Sequence, residues 1–125
     1  MGLTPQLTPA LDEIDFGAFA GRSFDALAPD PEWQEWNAAR QTARCPGGET
    51  MAEAVARASD YLSGLSLDAG PALCVTHCDV IRGVVADMLG LSYARMFAFD
   101  CDPASVATLD WGSRRVIALN QRVPR

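Results

Sequence analysis

Residues 72–89 constrain the chain most, because a short apolar run there passes directly into an apolar helical stripe. Ala72-Leu73-Cys74-Val75-Thr76 is an almost unbroken apolar run and closes on His77. Continuous rather than alternating apolarity predicts a strand buried on both faces, as in a parallel sheet. Val80, Ile81, Val84, Val85, Met88 and Leu89 then recur at helical spacing and stop at Gly90, which predicts a helix starting just after His77. A strand that feeds a helix in this way implies an α/β fold with a mixed, mostly parallel sheet flanked by helices.

The flanking text supports that class. Met1 to Pro9 reads as a loose N-terminal segment, and 10–125 as one domain without internal repeats. From Ala10 to Gly21 a short apolar alternation (Leu11, Ile14, Phe16) meets Gly17 and Gly21, so an extended segment ending in turns is expected. Asp30-Pro31-Glu32 supplies an N-cap, a first-turn proline and a first-turn acid for a helix through Trp33, Trp36 and Arg40. Thr50 and Glu53 form a capping box ahead of Val55, Ala58, Leu62 and Leu65. Ser105–Asp110 and Arg114–Leu119 read as two strands of a hairpin around Gly112-Ser113.

Charge and composition exclude several classes of partner. The net charge of −6, without a basic run, opposes binding to nucleic acid or to an anionic membrane surface. No apolar stretch reaches the roughly 18 residues of a spanning helix, and no basic-then-apolar leader is present, so a cytoplasmic location is expected. The four cysteines, Cys45, Cys74, Cys78 and Cys101, contain no C-x-x-C pair and read as reduced thiols rather than a disulfide framework.

His77 is the single histidine. In open α/β sheets the functional crevice lies beyond the carboxyl ends of the strands, where the next helix begins. The free N–H groups of a helix N-terminus attract anions there, and an imidazole beside them adds a directed hydrogen bond. A phosphate-sized anion fits such a place, although a lone histidine at a strand end also serves as an ordinary backbone hydrogen-bonder.

Three segments decide between those readings. LDEIDFGAFAG at 11–21 resembles L-x-E-x-x-F-G-x-x-x-G, PGGET at 46–50 resembles P-x-G-E-S, and VTHCDVIR at 75–82 resembles V-S/T-H-G-x-x-I-R. All three patterns are those of the histidine phosphatase (phosphoglycerate mutase-like) superfamily, in the family's order, from about Leu11 to Asn120. The resemblance implies phosphomonoester chemistry through a phosphohistidine, two arginines that clamp the phosphate, a second histidine and a glutamate that donates a proton. Carried over by position, His77 is the second histidine and Glu13 the general acid or base. Cys78, Arg82, Glu49 and Arg22 are the candidate substrate contacts, and the expected ligand is a small phosphate ester or free phosphate. No metal or cofactor is implied.

Departures from the family pattern bear on mechanism. No R-H-G tripeptide, the family's nucleophile segment, occurs, and only ten residues stand before Leu11. With one histidine, the chain lacks the nucleophile and both clamp arginines of the family and is expected to be inactive alone, as a partial domain incomplete at its N-terminus. A homodimer, a swapped dimer or a complementing N-terminal chain is the corresponding expectation, since a sheet without its first strand leaves open edges. The alternative is a non-catalytic module that binds phosphate or serves assembly. Cys78 stands where the family has glycine, and Ala20 where many members have a second glutamate.

Two other readings of the same residues are weaker. His77-Cys78 resembles the start of the H-C-x5-R loop of cysteine-dependent phosphatases, but the sixth residue after Cys78 is Val84 and Arg82 falls two positions early. A metal site from Cys74, His77 and Cys78 conflicts with strand alternation, which sends Cys74 and His77 to opposite faces.

Overall fold

A computed structural model describes residues 2–124. Residues 2–8 carry no regular element, and Thr8 caps a 3-10 turn at Pro9–Leu11 by accepting a hydrogen bond from the Ala10 N–H at 3.2 Å. A second 3-10 turn, Gly17–Phe19, follows the acidic segment. Four α-helices come next: α1 (Phe24–Leu27), α2 (Pro31–Ala38), α3 (Met51–Ser63) and α4 (Cys78–Met88). A further 3-10 turn at Tyr93–Arg95 leads to strands β1 (Ser105–Asp110) and β2 (Arg115–Arg122).

Local chemistry explains where the helices begin. The Asp30 carboxylate accepts from the Glu32 N–H at 2.9 Å and Pro31 takes the first helical position of α2. At α3 the capping box is complete: Thr50 Oγ1 accepts from the Glu53 N–H at 3.2 Å, and Glu53 Oε2 accepts from the Thr50 N–H at 3.0 Å. The two long helices pack through one stripe each, with Met51, Ala54, Val55 and Ala58 of α3 facing Val80, Gly83 and Val84 of α4 in one core. Gly83 is what lets them approach. A Cβ there would stand 2.5 Å from Val55 Cγ2 and 2.8 Å from Met51 Cε. Trp36, Met96 and Cys45 complete the fully buried centre, each completely enclosed, and every large apolar side chain buried there contributes about 1.5–3 kcal/mol. Trp33 packs edge-on against Phe19, ring centroids 5.2 Å apart.

The sheet differs from the sequence expectation. The chain is α/β, but among the described residues the sheet is a two-stranded antiparallel hairpin, β1 with β2, and a mostly parallel sheet is not seen. Residues 71–77 run without regular structure or a strand partner. Leu73 is 72% and Val75 84% exposed, so the run expected to be buried on both faces is open on the face those two residues share. The physical reason is that sheet burial is non-local: no second strand pairs with this one, and none of its backbone N–H groups donates a hydrogen bond among the described residues. The hairpin itself turns where expected, with Asp110 Oδ1 accepting from the Ser113 N–H at 3.1 Å. β2 continues past Leu119 to Arg122 because the register shifts on either side of Thr108 and Asn120 takes a left-handed φ of 52°. Trp111 Nε1 donates to Ser63 Oγ at 3.0 Å and Arg114 pairs with Asp87 at 3.0 Å, which ties the hairpin to the ends of α3 and α4.

Candidate functional site

Glu13 and His77 meet although a long stretch of chain separates them. Glu13 follows the first 3-10 turn and His77 is the N-cap residue of α4, with extended backbone (φ −106°, ψ 159°). His77 Nδ1 lies 3.9 Å from Glu13 Oε2. That separation is too long for a direct hydrogen bond, but one oxygen placed about 2.8 Å from each atom would bridge them. Glu13 Oε1 accepts from the Ile14 N–H at 2.9 Å, whereas Oε2, the oxygen facing His77, accepts no hydrogen bond among the described residues.

The two side chains differ in environment. The imidazole is 56% exposed and the carboxyl 30%, so a solute reaches the histidine freely while the glutamate is partly withdrawn from water. Burial is the main reason the Glu13 carboxyl titrates above the usual carboxylate value. The Asp79 charge pushes the same way, while the Ile14 N–H, His77 and Arg57 pull it back. A carboxyl raised in this manner keeps its proton more readily, as a general acid requires.

Arg57, on α3, sets the position of Glu13. Its Nη1 donates to the carbonyls of Ala10 and Asp12, both at 2.9 Å, and its Nη2 to the carbonyl of Glu13 at 3.0 Å. The other edge of the guanidinium grips Glu49, through Nε to Oε1 at 2.8 Å and Nη2 to Oε2 at 3.0 Å. Glu49 Oε2 also accepts from the Asp15 N–H at 2.9 Å. Glu49 is therefore a strut between the 46–50 loop and the acidic segment, and the Arg57 guanidinium holds its carboxyl below the usual range. The two loops touch closely enough that only glycine fits. A Cβ on Gly17, whose φ is +53°, would lie 2.1 Å from the Pro46 carbonyl oxygen, and one on Gly48 2.1 Å from that of Asp15.

His77 has a lighter support. Thr76 Oγ1 donates to the Leu11 carbonyl at 2.7 Å, linking the two segments that carry the pair. The His77 carbonyl accepts from the Ile81 N–H at 3.0 Å as the first bond of α4, and its side chain makes no cap bond. The N–H groups that open α4 thus have no partner from the N-cap side chain, which leaves them available to an anion.

The remaining candidates fall in different places. Cys78 is at the first helical position, exposed, and its Sγ donates to the Cys101 carbonyl at 3.1 Å. Arg82 turns to the loop after the third 3-10 turn: its Nη1 donates to the carbonyl of Met96 at 3.1 Å and to that of Phe99, and its guanidinium stacks on Phe97 and Phe99. Arg22 pairs with Asp30 at 2.8 Å and donates to the Ala26 carbonyl at 3.3 Å. The structure brings Glu13, His77 and Cys78 to the start of α4, and holds Glu49, Arg82 and Arg22 in other contacts.

Sequence reading missed Arg57, Asp79 and Arg40. The buried Arg40 reaches Asp79 in the first turn of α4 at 3.3 Å and lies over the Trp36 ring, 4.5 Å from its centroid. The only sequence signal for Arg57 was its place two helical turns beyond Glu49, and for Arg40 there was none, since its partner lies 39 positions away. Two surface hollows, one along Glu32, Glu35 and Thr42 and one along Asp102 and Arg122, are not lined by Glu13 or His77. Among the described residues no group of three or more His, Cys, Asp or Glu is arranged to hold a metal ion, and no helix is long and apolar enough to cross a membrane.

The pairing of a withdrawn glutamate with a histidine at the start of α4, held by an arginine–glutamate strut from the 46–50 loop, uses all three sequence segments at once. The family model described as histidine phosphatase superfamily (branch 1) matches residues 1–122. The chain belongs to that superfamily. No curated protein matches it significantly. Membership in the histidine phosphatase superfamily gives the chain a phosphatase- or mutase-like setting.

Proposed function

We propose that these residues form the proton-donor side of a phosphomonoester site, with Glu13 as general acid or base and His77 as the second histidine beside the phosphate. The observation that carries the reading is the Glu13 Oε2 to His77 Nδ1 separation of 3.9 Å at the open N-terminus of α4. A phosphate oxygen or the leaving alcohol's oxygen seated between them would accept a hydrogen bond from the imidazole while the raised carboxyl supplies the proton. The ligand is a small phosphate ester or free phosphate, and Cys78 is the side chain next to it. Residues 72–76 are the strand of a mostly parallel sheet once another strand, from a second copy or a complementing chain, pairs with them.

The 125 residues carry one histidine, so a mechanism that needs both a phosphohistidine and a partner histidine is incomplete within them. The arginines nearest the candidate segments point the same way, since Arg22, Arg40, Arg57 and Arg82 are all engaged by carboxylates, a side-chain amide or carbonyls. That observation favours the second reading, a module that binds phosphate without turning an ester over. Hydrolysis of p-nitrophenyl phosphate by the purified chain, compared with His77→Ala, tests both. No turnover is expected, with orthophosphate shifting the imidazole NMR signals of the single histidine. Turnover that disappears in His77→Ala would reveal a nucleophile within these residues. Imidazole signals indifferent to millimolar phosphate would remove the site altogether.

A further inference from the structure

Cys78 and Cys101 stand together beside His77 with no role in the phosphate reading that explains their pairing. Cys78 Sγ donates to the Cys101 carbonyl at 3.1 Å, so the first thiol lies directly against the backbone that carries the second. We propose that they are a redox-modification site, a dithiol that a peroxide converts to an intrachain disulfide across the start of α4.

The surroundings hold both sulfurs in place. Cys78 is fixed by the first turn of an 11-residue helix. Cys101 lies in the loop before β1, and that loop is tied down on both sides. Arg82 binds the Phe99 carbonyl before it, and the Asp102 N–H donates to Asn120 Oδ1 at 2.8 Å after it. With the Cys78 sulfur 3.1 Å from the Cys101 backbone and both segments anchored, side-chain rotation is the motion that brings the two sulfurs to disulfide geometry. The other cysteines have no such partner: Cys45 is completely buried and Cys74 is half-buried on the 71–77 segment.

Exposure assigns the order of events. Cys78 is exposed, while Cys101 is half-buried, and burial followed by the adjacent Cys78 thiol pushes its thiol up to about 11. Cys78 sulfur therefore meets the oxidant first. It attacks one peroxide oxygen, the O–O bond breaks, one water leaves and a sulfenic acid remains on Cys78. Cys101 sulfur then attacks that sulfur, the S–O bond breaks, and the departing hydroxyl takes the Cys101 proton to form a second water. Two thiols are oxidised by two electrons in all, and the peroxide is reduced. The bridge closes a span of 23 positions and fixes the loop against the residue next to His77.

The test uses the full chain, treated with a small excess of hydrogen peroxide and mapped by mass spectrometry without reduction. A peptide joining Cys78 to Cys101 is expected, with the titratable thiols of the denatured protein falling from four to two and returning with dithiothreitol. In Cys101→Ser, dimedone should label Cys78, and in Cys78→Ser the thiol of Cys101 should survive the same treatment. A disulfide between two copies, a sulfinic acid on Cys78 in the unsubstituted chain, or both thiols still free would each overturn the proposal. None of these outcomes depends on phosphate binding, so failure of the phosphate reading and failure of the dithiol are told apart.

Discussion

The two halves of the Glu13–His77 pair are built in opposite ways. Around Glu13, one guanidinium binds the carbonyls of Ala10, Asp12 and Glu13 and is itself gripped by Glu49, so the acid is placed by a network reaching across the sequence. Around His77, the preceding residues 71–76 make no backbone hydrogen bond among the described residues, and the imidazole takes its place from the start of α4 and one threonine hydroxyl. The carboxyl is placed by many weak constraints acting together, the histidine by a single helix end. Substitutions around Glu13 should therefore act through stability and geometry jointly. Those before His77 should move little besides the site.

The sharpest break in the contrast is Gly17→Ala. Its methyl would meet the Pro46 carbonyl at 2.1 Å with φ at +53°, so a loss on the order of 3 kcal/mol or more is expected, visible as a lower midpoint in urea melts. Arg57→Ala should come next. It strips the carbonyls of Ala10, Asp12 and Glu13 of this donor and leaves a partly buried Glu49 without its cation, at a cost of about 2–3 kcal/mol. Arg57→Lys should recover only part of that, since an ammonium does not reproduce the planar fork.

Thr76→Val probes the lighter side. Losing the 2.7 Å bond to the Leu11 carbonyl should cost about 1 kcal/mol and shift the His77 imidazole signals while leaving the Trp indole signals of the core in place. The smallest effects come from pH. Glu13 titrates above its unfolded value because of burial, so the stability it contributes is present below the unfolded carboxyl range and is lost as pH rises through its folded value. Glu49 titrates below its unfolded value because of Arg57, so its contribution is present above the unfolded range and lost as pH falls through its folded value. Thermal melts across the acid range should therefore show Glu13→Gln removing a loss on the alkaline side and Glu49→Gln flattening the loss on the acid side. The same slope in both variants would contradict the two environments described for them.

How much was legible follows the same division between local and distant causes. The Thr50 capping box, the Asp30-Pro31 helix start, the α4 stripe and the Gly112-Ser113 turn depend on residues a few positions apart, and each stands in the structure where the sequence put it. The meeting of Glu13 with His77 was accessible only through the family resemblance, since no spacing rule joins them. The exposure of Leu73 and Val75 was not legible because a strand's burial is decided by its neighbours. Arg82 shows the same limit on a smaller scale. It reads as an anion contact one helical turn after His77, yet the carbonyls that take it belong to Met96 and Phe99, whose approach no local pattern announces.

The bare backbone of residues 71–77 also sets a rate. With no donated bond to open first, their amides should take up deuterium at close to the rate of a free peptide, while those in the middle of α3 and α4 wait for unfolding. Within one molecule His77 is thus flanked by the fastest and the slowest exchanging stretches, and the border between them falls at the first turn of α4.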